Sequence, residues 1–558
     1  MLTIQPQYLT CSKLLDGRLF QIPDYQRAYS WTSRQRDDLF SDIQKTHAKG
    51  QEQGHFMAAV VCLRRKALVL GTDEFFVMEV VDGQQRLTTL IILLNAIKLK
   101  FNRKDKAEAK LAIELRDLLV KPEGDELLLL QTNHDSSDYF ANFLRKGTAP
   151  PSSTANTLAD REILAAIEEC LAYVESWQDN GETLASLMAL LKNRLFFLLH
   201  EVDDEQTVYT VFEVLNSRGL EVSWLDRLKS TLMGAAFELR KANRDRVITD
   251  LHNTWRGIYS VVGLRQGLST EALRFAATLS AVEAPRRPLG EEDSVDALRS
   301  KGTTAKSIRE VATWMFNVTG ACHDVVASFR TNAVTRIAQA RLLAVAINLR
   351  DDLKPRERKA LLRRWEKISF RIYGMMRNDA RTRVGDYVRL AWRVINGRMS
   401  VKEIDSAIGD IGAEFPVDDA VQALRGANCY EGWEDELRYV MFRYEEHLAK
   451  KQKLNFRNEQ WEKIWMVSAS ASIEHIWPQS KAPEKHRHRL GNLVLLPPKL
   501  NSKLQNNAPK DKVEAYRKTG LLIAGDVADM IEFGRWNAKA ITEREEALLA
   551  WAASEWAD

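Results

Sequence analysis

Between about residue 236 and residue 450 the chain reads as nearly unbroken helix, and that block limits the fold more than any other feature. A helical block of this size needs a core of its own, distinct from the strand-bearing stretches before and after it. The 558 residues are also several times the ~100–200 usual for one domain. The sequence therefore predicts a multidomain α+β protein. It has an α/β region over 1–235, an all-α connecting region over 236–450 and a third region over 451–558. Breaks near Ala284–Ser294 and Phe415–Asp418 interrupt the helical part. In the first region, Met57–Leu63 and Phe75–Val81 flank a Gly71–Asp73 turn and read as paired strands. A helix follows from about Leu87 to about Lys100, and residues 105–200 are mostly helical apart from a Thr148–Thr157 loop. Leu195–Val202 is a further strand candidate. From Lys451 onward short β-like stretches, Pro497-Pro498 and Asn-rich turns replace long helices.

Composition narrows the class. Apolar residues at 45% and charged residues at 28% exclude a disordered chain, and a net charge of +4 provides no global basic field. The charge is uneven, at about +8 over 451–520 and about −5 over 521–558. Five scattered cysteines, with no CxxC pair, argue against a disulfide framework or a cysteine zinc site and suit a reducing cytosol. The opening MLTIQPQYLT has neither the basic nor the apolar part of a signal peptide. Leu87–Leu99, the longest apolar run, carries Thr88, Thr89, Asn95 and Lys98 and is too short and polar to span a bilayer. The expectation is a cytoplasmic protein with no membrane partner.

Three N-terminal segments carry chemistry. Ile22-Pro23-Asp24-Tyr25-Gln26-Arg27-Ala28-Tyr29-Ser30-Trp31 offers hydrogen-bonding Gln26 and Arg27 beside Tyr25, Tyr29 and Trp31 as stacking faces. The same residues also suit an aromatic core edge with a salt-bridged arginine. In Asp82-Gly83-Gln84-Gln85-Arg86 a strand ends and a helix begins about four residues later. Unsatisfied N–H groups at that helix start would attract phosphate, Gly83 allows close approach, Arg86 adds a bidentate contact, and Asp82 offers an oxygen to Mg2+ or water. An ordinary Asp-Gly turn with a surface arginine is the plain alternative. Asn216-Ser217-Arg218-Gly219 ends one helix and Ser223 caps the next, which capping chemistry alone explains; Asn216 and Arg218 are kept as a possible further site.

At the other end, Glu474-His475-Ile476-Trp477-Pro478 precedes Gly491-Asn492-Leu493 and then Asn501. A hydrolytic nuclease needs a base for water and a cation for the phosphate. His475 is the candidate base, Glu474 and Asn501 the candidate oxygen ligands, and Asn492 a brace of the loop through backbone hydrogen bonds. A lone strand histidine or turn asparagine is more often structural. In the middle, 14 basic residues against 4 acidic ones between Lys354 and Arg398, interleaved with aromatics, suit either a DNA-tracking face or arginine helices packed in a bundle.

In order, IPDYQRAYSW, DGQQRLTTL and FEVLNSRG…LDRLKS resemble the N-terminal domain of GmrSD-type modification-dependent restriction enzymes, over roughly residues 5–235. The resemblance implies a ParB/sulfiredoxin-like fold, nucleotide binding and hydrolysis at the DGQQR loop, and sensing of modified DNA by Tyr25, Gln26, Arg27, Tyr29 and Trp31. The pattern EHIxP…GNLxLL…N resembles HNH (ββα-metal) nucleases of the subclass found in GmrSD-like, BrxU-like and SspE-like defence proteins, over about 455–556. Trp536, Ile541, Arg544 and Leu548 match that subclass's closing helix. His475, Asn492 and Asn501 are then catalytic and Glu474 with Asn501 holds Mg2+ or Mn2+. The expected partners are modified double-stranded DNA, GTP or ATP, and a second copy of the chain in a possible homo-oligomer. Two alternatives stand: a phosphorothioate-sensing nickase, and a non-catalytic NTP-dependent DNA-binding regulator.

Overall fold

A computed structural model describes residues 6–23, 28–50, 53–70, 72–121, 127–132, 137–202, 223–327, 337–456, 459–534 and 536–558. The chain divides into two compact units. One comprises 1–273 with 291–319, the other 274–290 with 320–558. Residues 451–558 thus share a unit with the helices before them, whereas the sequence suggests a separate third region.

The first unit is built on a six-stranded mixed sheet: β1 (Pro6–Thr10), β2 (Arg18–Gln21), β3 (His55–Leu70), β4 (Asp73–Asp82), β5 (Leu130–Gln131) and β6 (Leu195–Val202), in spatial order β1-β6-β3-β4-β2-β5. The expected pairing of β3 with β4 is present, antiparallel and closing at Leu70↔Asp73. Outside that hairpin, β6 runs parallel to β3 and β2 parallel to β4. Helices α1 (Ser33–Ala48), α2 (Gln84–Lys100) and α3 (Leu158–Asp179) share one hydrophobic core with the sheet, α1 and α2 packing on α3.

Helix α2 is apolar on every side because it is buried on every side. Two of its polar interruptions donate to backbone carbonyls within the core. Asn95 Nδ2 donates to the Phe143 carbonyl at 2.8 Å and Lys98 Nζ to that of Leu144 at 3.2 Å. Among the described residues no helix is long and apolar enough to cross a membrane.

The second unit is almost entirely helical. It includes α4 (Pro355–Ser369), α5 (Glu434–Lys451), α6 (Pro498–Leu504), α7 (Pro509–Lys518), α8 (Leu522–Phe533) and α9 (Ala538–Glu555). Among the described residues one two-stranded sheet interrupts them, β7 (Ile473–His475) paired with β8 (Leu493–Leu495). The arginine-rich stretch from 354 is tied to the end of the chain. Arg363 pairs with Glu555, Arg371 with Asp558 at 2.8 Å, and Lys367 Nζ donates to the Ala557 carbonyl at 2.7 Å. Further along, Arg377 donates to the Asn428 carbonyl, and Arg383 and Arg389 pair with Asp386. Of the two readings of this basic stretch, these contacts favour arginine helices packed within the unit.

Candidate functional site

The first candidate site begins at the end of β4. Gly83 sits at φ +91° and N-caps α2, where a Cβ would lie 3.2 Å from both the Ala59 carbonyl and Val60 Cγ2, so only glycine fits comfortably. The helix starts at Gln84, three residues earlier than the sequence suggests, so Gln84, Gln85 and Arg86 form its first turn. Gln85 is not turned toward a ligand. Its Oε1 accepts from the Ser30 amide at 2.8 Å and its Nε2 donates to the Ala28 carbonyl at 3.0 Å. One helical turn on, the Thr89 hydroxyl lies 2.8 Å from that of Tyr29. These bonds stitch the first motif onto the first turn of α2.

Tyr29 and Trp31 are consequently buried, at 8% and 5% exposure, which corrects the expectation that they present stacking faces. Tyr25, Gln26 and Arg27, as well as Asn216 and Arg218, lie outside the described residues. The Arg86 guanidinium stands 5.5 Å from the Trp31 ring and, among the described residues, makes no hydrogen bond or ion pair. Burial lowers its pKa, an effect opposed by the negative charges of Asp82 and Asp42. A half-buried cation at a helix start is well placed to receive an anion.

The second candidate site is the β7–β8 sheet. Alternation along β7 gives adjacent Glu474 and His475 separate neighbours. Glu474 Oε1 accepts from Lys512 Nζ at 2.5 Å and from the Tyr516 hydroxyl at 3.2 Å, both on α7. Burial raises the Glu474 pKa and lowers that of Lys512, and each charge opposes the shift of the other. Lys512 Nζ also donates to the His475 carbonyl at 2.9 Å and the Ile476 carbonyl at 3.4 Å.

His475 faces the other way. Its Nε2 lies 3.0 Å from His488 Nδ1, and its Nδ1 lies 3.1 Å from Nε2 of the exposed Gln479. Tyr430 stacks on His488 and meets His475 edge-on at 4.7 Å between centroids. Burial first, then His488, Lys512 and Arg487, depress the His475 pKa to about 3, so the imidazole is neutral at physiological pH.

Asn492 is fully buried with its whole amide engaged. Oδ1 accepts from the Trp477 amide at 2.8 Å and Trp536 Nε1 at 3.3 Å, and Nδ2 donates to the Trp477 and Arg487 carbonyls, each at 3.0 Å. Asn501 Nδ2 donates to the carbonyls of Ala471 at 3.0 Å and Ile473 at 3.1 Å. Glu474 and Asn501 therefore fit a shared cation poorly: an ammonium engages the carboxylate and the amide faces backbone. Among the described residues no group of three or more His, Cys, Asp or Glu is placed to hold a metal.

Two family models match the chain. The GmrSD restriction endonuclease N-terminal domain matches residues 11–233, and the GmrSD restriction endonucleases C-terminal domain matches 416–551. Together they take in well over half of the 558 residues. The chain belongs to the GmrSD restriction endonucleases. No curated protein matches it. Membership makes this GmrSD protein a nuclease and gives it DNA as a partner.

The C-terminal GmrSD match begins 35 residues before the boundary expected at 451, and the geometry explains why. Tyr430 supplies the ring over both histidines, and the Cys429 amide donates to the His488 carbonyl at 2.8 Å. Glu445 on α5 accepts the Leu522 and Ile523 amides at the start of α8, at 2.7 and 2.8 Å. His488, Gln479, Tyr430, Lys512 and Tyr516 join the site without being marked in the sequence as its members. Of these, only the imidazole of His488, four residues before the Gly-Asn-Leu motif, gave a signal that could have been followed.

The closing helix of the GmrSD domain is locked to this loop. Arg544 donates to the Gly491 and Leu493 carbonyls, each at 2.8 Å, and a Cβ on Gly491 would lie 2.0 Å from the Ile541 carbonyl oxygen. Gly491→Ala must push backbone against backbone, and overpacking of this kind costs about 1–3 kcal/mol. Thermal unfolding should register the loss; a variant melting with the wild type would show that the loop shifts freely.

Proposed function

We propose that this GmrSD protein is a modification-dependent, type IV-like endonuclease or nickase, acting in a reducing cytoplasm. Its C-terminal HNH-type centre would cut modified double-stranded DNA, while its ParB/sulfiredoxin-like N-terminal domain binds and hydrolyses GTP or ATP. The observation that carries this reading is the His475 imidazole: held on a strand, neutral, and with Nδ1 toward the exposed Gln479.

In the reaction, water gives its proton to His475 Nδ1 and its oxygen bonds to phosphorus. One ester P–O bond breaks, its electron pair leaves on the departing oxygen, and that oxygen takes a proton from solvent. Asn492 keeps the turn after β7 in place and Lys512 holds the backbone carbonyls of His475 and Ile476. A dependence on Mg2+ or Mn2+ is part of the proposal as a requirement of the reaction class, and nicking that survives EDTA removes it.

Supercoiled plasmids carrying unmodified, glucosylated-hydroxymethylcytosine or phosphorothioate DNA test the function directly. Preferential nicking of one modified plasmid is expected, and preference for the phosphorothioate plasmid would select the backbone-sensing reading. Equal cleavage of all three overturns modification dependence, and no cleavage of any favours a non-catalytic DNA-binding regulator.

Arg86 carries the nucleotide part of the proposal. A charge-assisted contact to phosphate contributes roughly 1.5–3 kcal/mol, so Arg86→Ala should weaken nucleotide binding about 10- to 150-fold. Calorimetric titration with GTP and ATP measures this. A folded Arg86→Ala protein with unchanged affinity and turnover would remove the phosphate assignment.

A further inference from the structure

Two imidazoles meet at the nuclease centre. His488 reaches it from the short helical turn Glu484–Arg487, which sets its ring beside His475 with Nδ1 aimed at His475 Nε2, 3.0 Å away. Its position is fixed from two further directions. The Tyr430 ring stacks on it at 11° between planes and 5.1 Å between centroids, and the Cys429 amide donates to its carbonyl oxygen. Such a ring is not a loose surface side chain that happens to touch a neighbour.

The hydrogen bonds decide which nitrogen carries which proton. The amide nitrogen of Gln479 can only donate, so His475 Nδ1 must accept and carry a lone pair. A neutral His475 then holds its proton on Nε2 and donates it to His488 Nδ1, which leaves the His488 proton on Nε2. With the Gln479 amide nitrogen facing Nδ1, this assignment satisfies both contacts. It puts the basic lone pair on the side of the exposed Gln479 and turns the protonated nitrogen toward His488.

We propose that His488 is the positioning residue of the nuclease reaction: through Nδ1 it fixes His475 in the tautomer with a basic Nδ1, and it accepts the Nε2–H of the imidazolium when His475 takes the proton of the attacking water. The proposal rests on the assignment of His475 as general base and deepens it. His488 touches neither water nor phosphate in this role. Its contribution is orientation, the part that a carboxylate or backbone carbonyl plays behind a catalytic histidine elsewhere.

Two substitutions separate the hydrogen bond from the packing. His488→Asn places an amide oxygen where Nδ1 stood and discards the ring that stacks on Tyr430. His488→Phe keeps a ring for Tyr430 and removes the acceptor. The measurement is nicking of supercoiled plasmid by the purified full chain, with kcat and KM for each variant, alongside His475→Ala.

His488→Phe is expected to lower kcat about 10- to 100-fold with KM unchanged, by analogy with removal of other orienting partners. His488→Asn should stay within a few-fold of wild type. If His488→Phe nicks at the wild-type rate, or His488→Asn falls as far as His488→Phe, the positioning role is overturned. Should the phenylalanine variant fail to fold, His488→Leu supplies the acceptor-free arm: an about 10- to 100-fold lower kcat beside a near-normal His488→Asn upholds the role, and a wild-type rate overturns it. The His475→Ala arm keeps the two failures apart. Wild-type nicking by that variant removes the nuclease-centre reading itself, whereas a dead His475→Ala beside a fully active His488→Phe removes only the role of His488.

Discussion

His475→Ala should abolish nicking at ordinary enzyme concentrations, while NTP hydrolysis continues at the wild-type rate. Loss of a general base costs typically 10²–10⁴-fold, enough to take a modest endonuclease below detection. NTP turnover is assigned to the DGQQR loop in the other compact unit and should not register the change. Plasmid relaxation and phosphate release, followed on the same preparations, test both halves. Wild-type nicking by the variant would remove the base.

The pH profile adds an independent check. Burial and neighbouring positive charges hold the His475 pKa at about 3, so acidification to pH 5 should not protonate the base. An acid limb of nicking with a midpoint near ~6.5, the ordinary histidine value, would contradict this environment. The sign for stability follows. The fold prefers neutral His475, so its contribution is complete above ~6.5 and declines as the pH falls toward about 3.

Lys512→Met should be among the most damaging single changes in the C-terminal unit. It leaves the Glu474 carboxylate, 5% exposed, without its ammonium partner, and breaking a buried pair from one side costs about 3–5 kcal/mol. In a unit of this size that corresponds to roughly 6–20 °C in melting temperature. Pairing it with Glu474→Gln should recover much of the loss, because the uncompensated charge is then gone.

Acid should rescue the single variant. Burial raises the Glu474 pKa, so the fold prefers the protonated carboxyl, and the stability linked to it is lost as pH rises through that raised value. Lys512→Met should therefore regain ground relative to wild type as the pH falls from 7. Equal melting of Lys512→Met and wild type, or simple additivity in the double variant, would show that the pair is not coupled.

Much of this is legible in the amino-acid sequence alone. The β3–β4 hairpin, β6, the helical middle and a bracing role for Asn492 follow from alternation, turn residues and the Gly-Asn-Leu pattern, all of them local signals. What is not legible there depends on partners distant in the chain. Gln85 looks like part of a phosphate loop, yet the carbonyl and amide it bonds lie more than 50 residues earlier. Glu474 looks like a metal ligand until Lys512 arrives from 38 residues downstream, and a lysine on a short helix reads as solvated unless its burial is known. Tyr29 and Trp31 look like stacking platforms because aromatic content is visible in a sequence and exposure is not. The start of α2 lies three residues before the one the sequence suggests because Gln-Gln-Arg after a glycine carries no side-chain cap to mark it.

Asn501 and Lys512 have one more consequence, for the solubility of a unit whose described residues form a single sheet two strands wide. Strand β7 would ordinarily present a row of unpaired carbonyls to solvent, which invites a strand from another chain to add itself. Here Asn501 engages the outward carbonyl of Ile473, and Lys512 that of His475. An incoming strand finds these acceptors already occupied by an amide and an ammonium group. The side chains that hold the strand beneath His475 thus also close that edge to edge-to-edge aggregation.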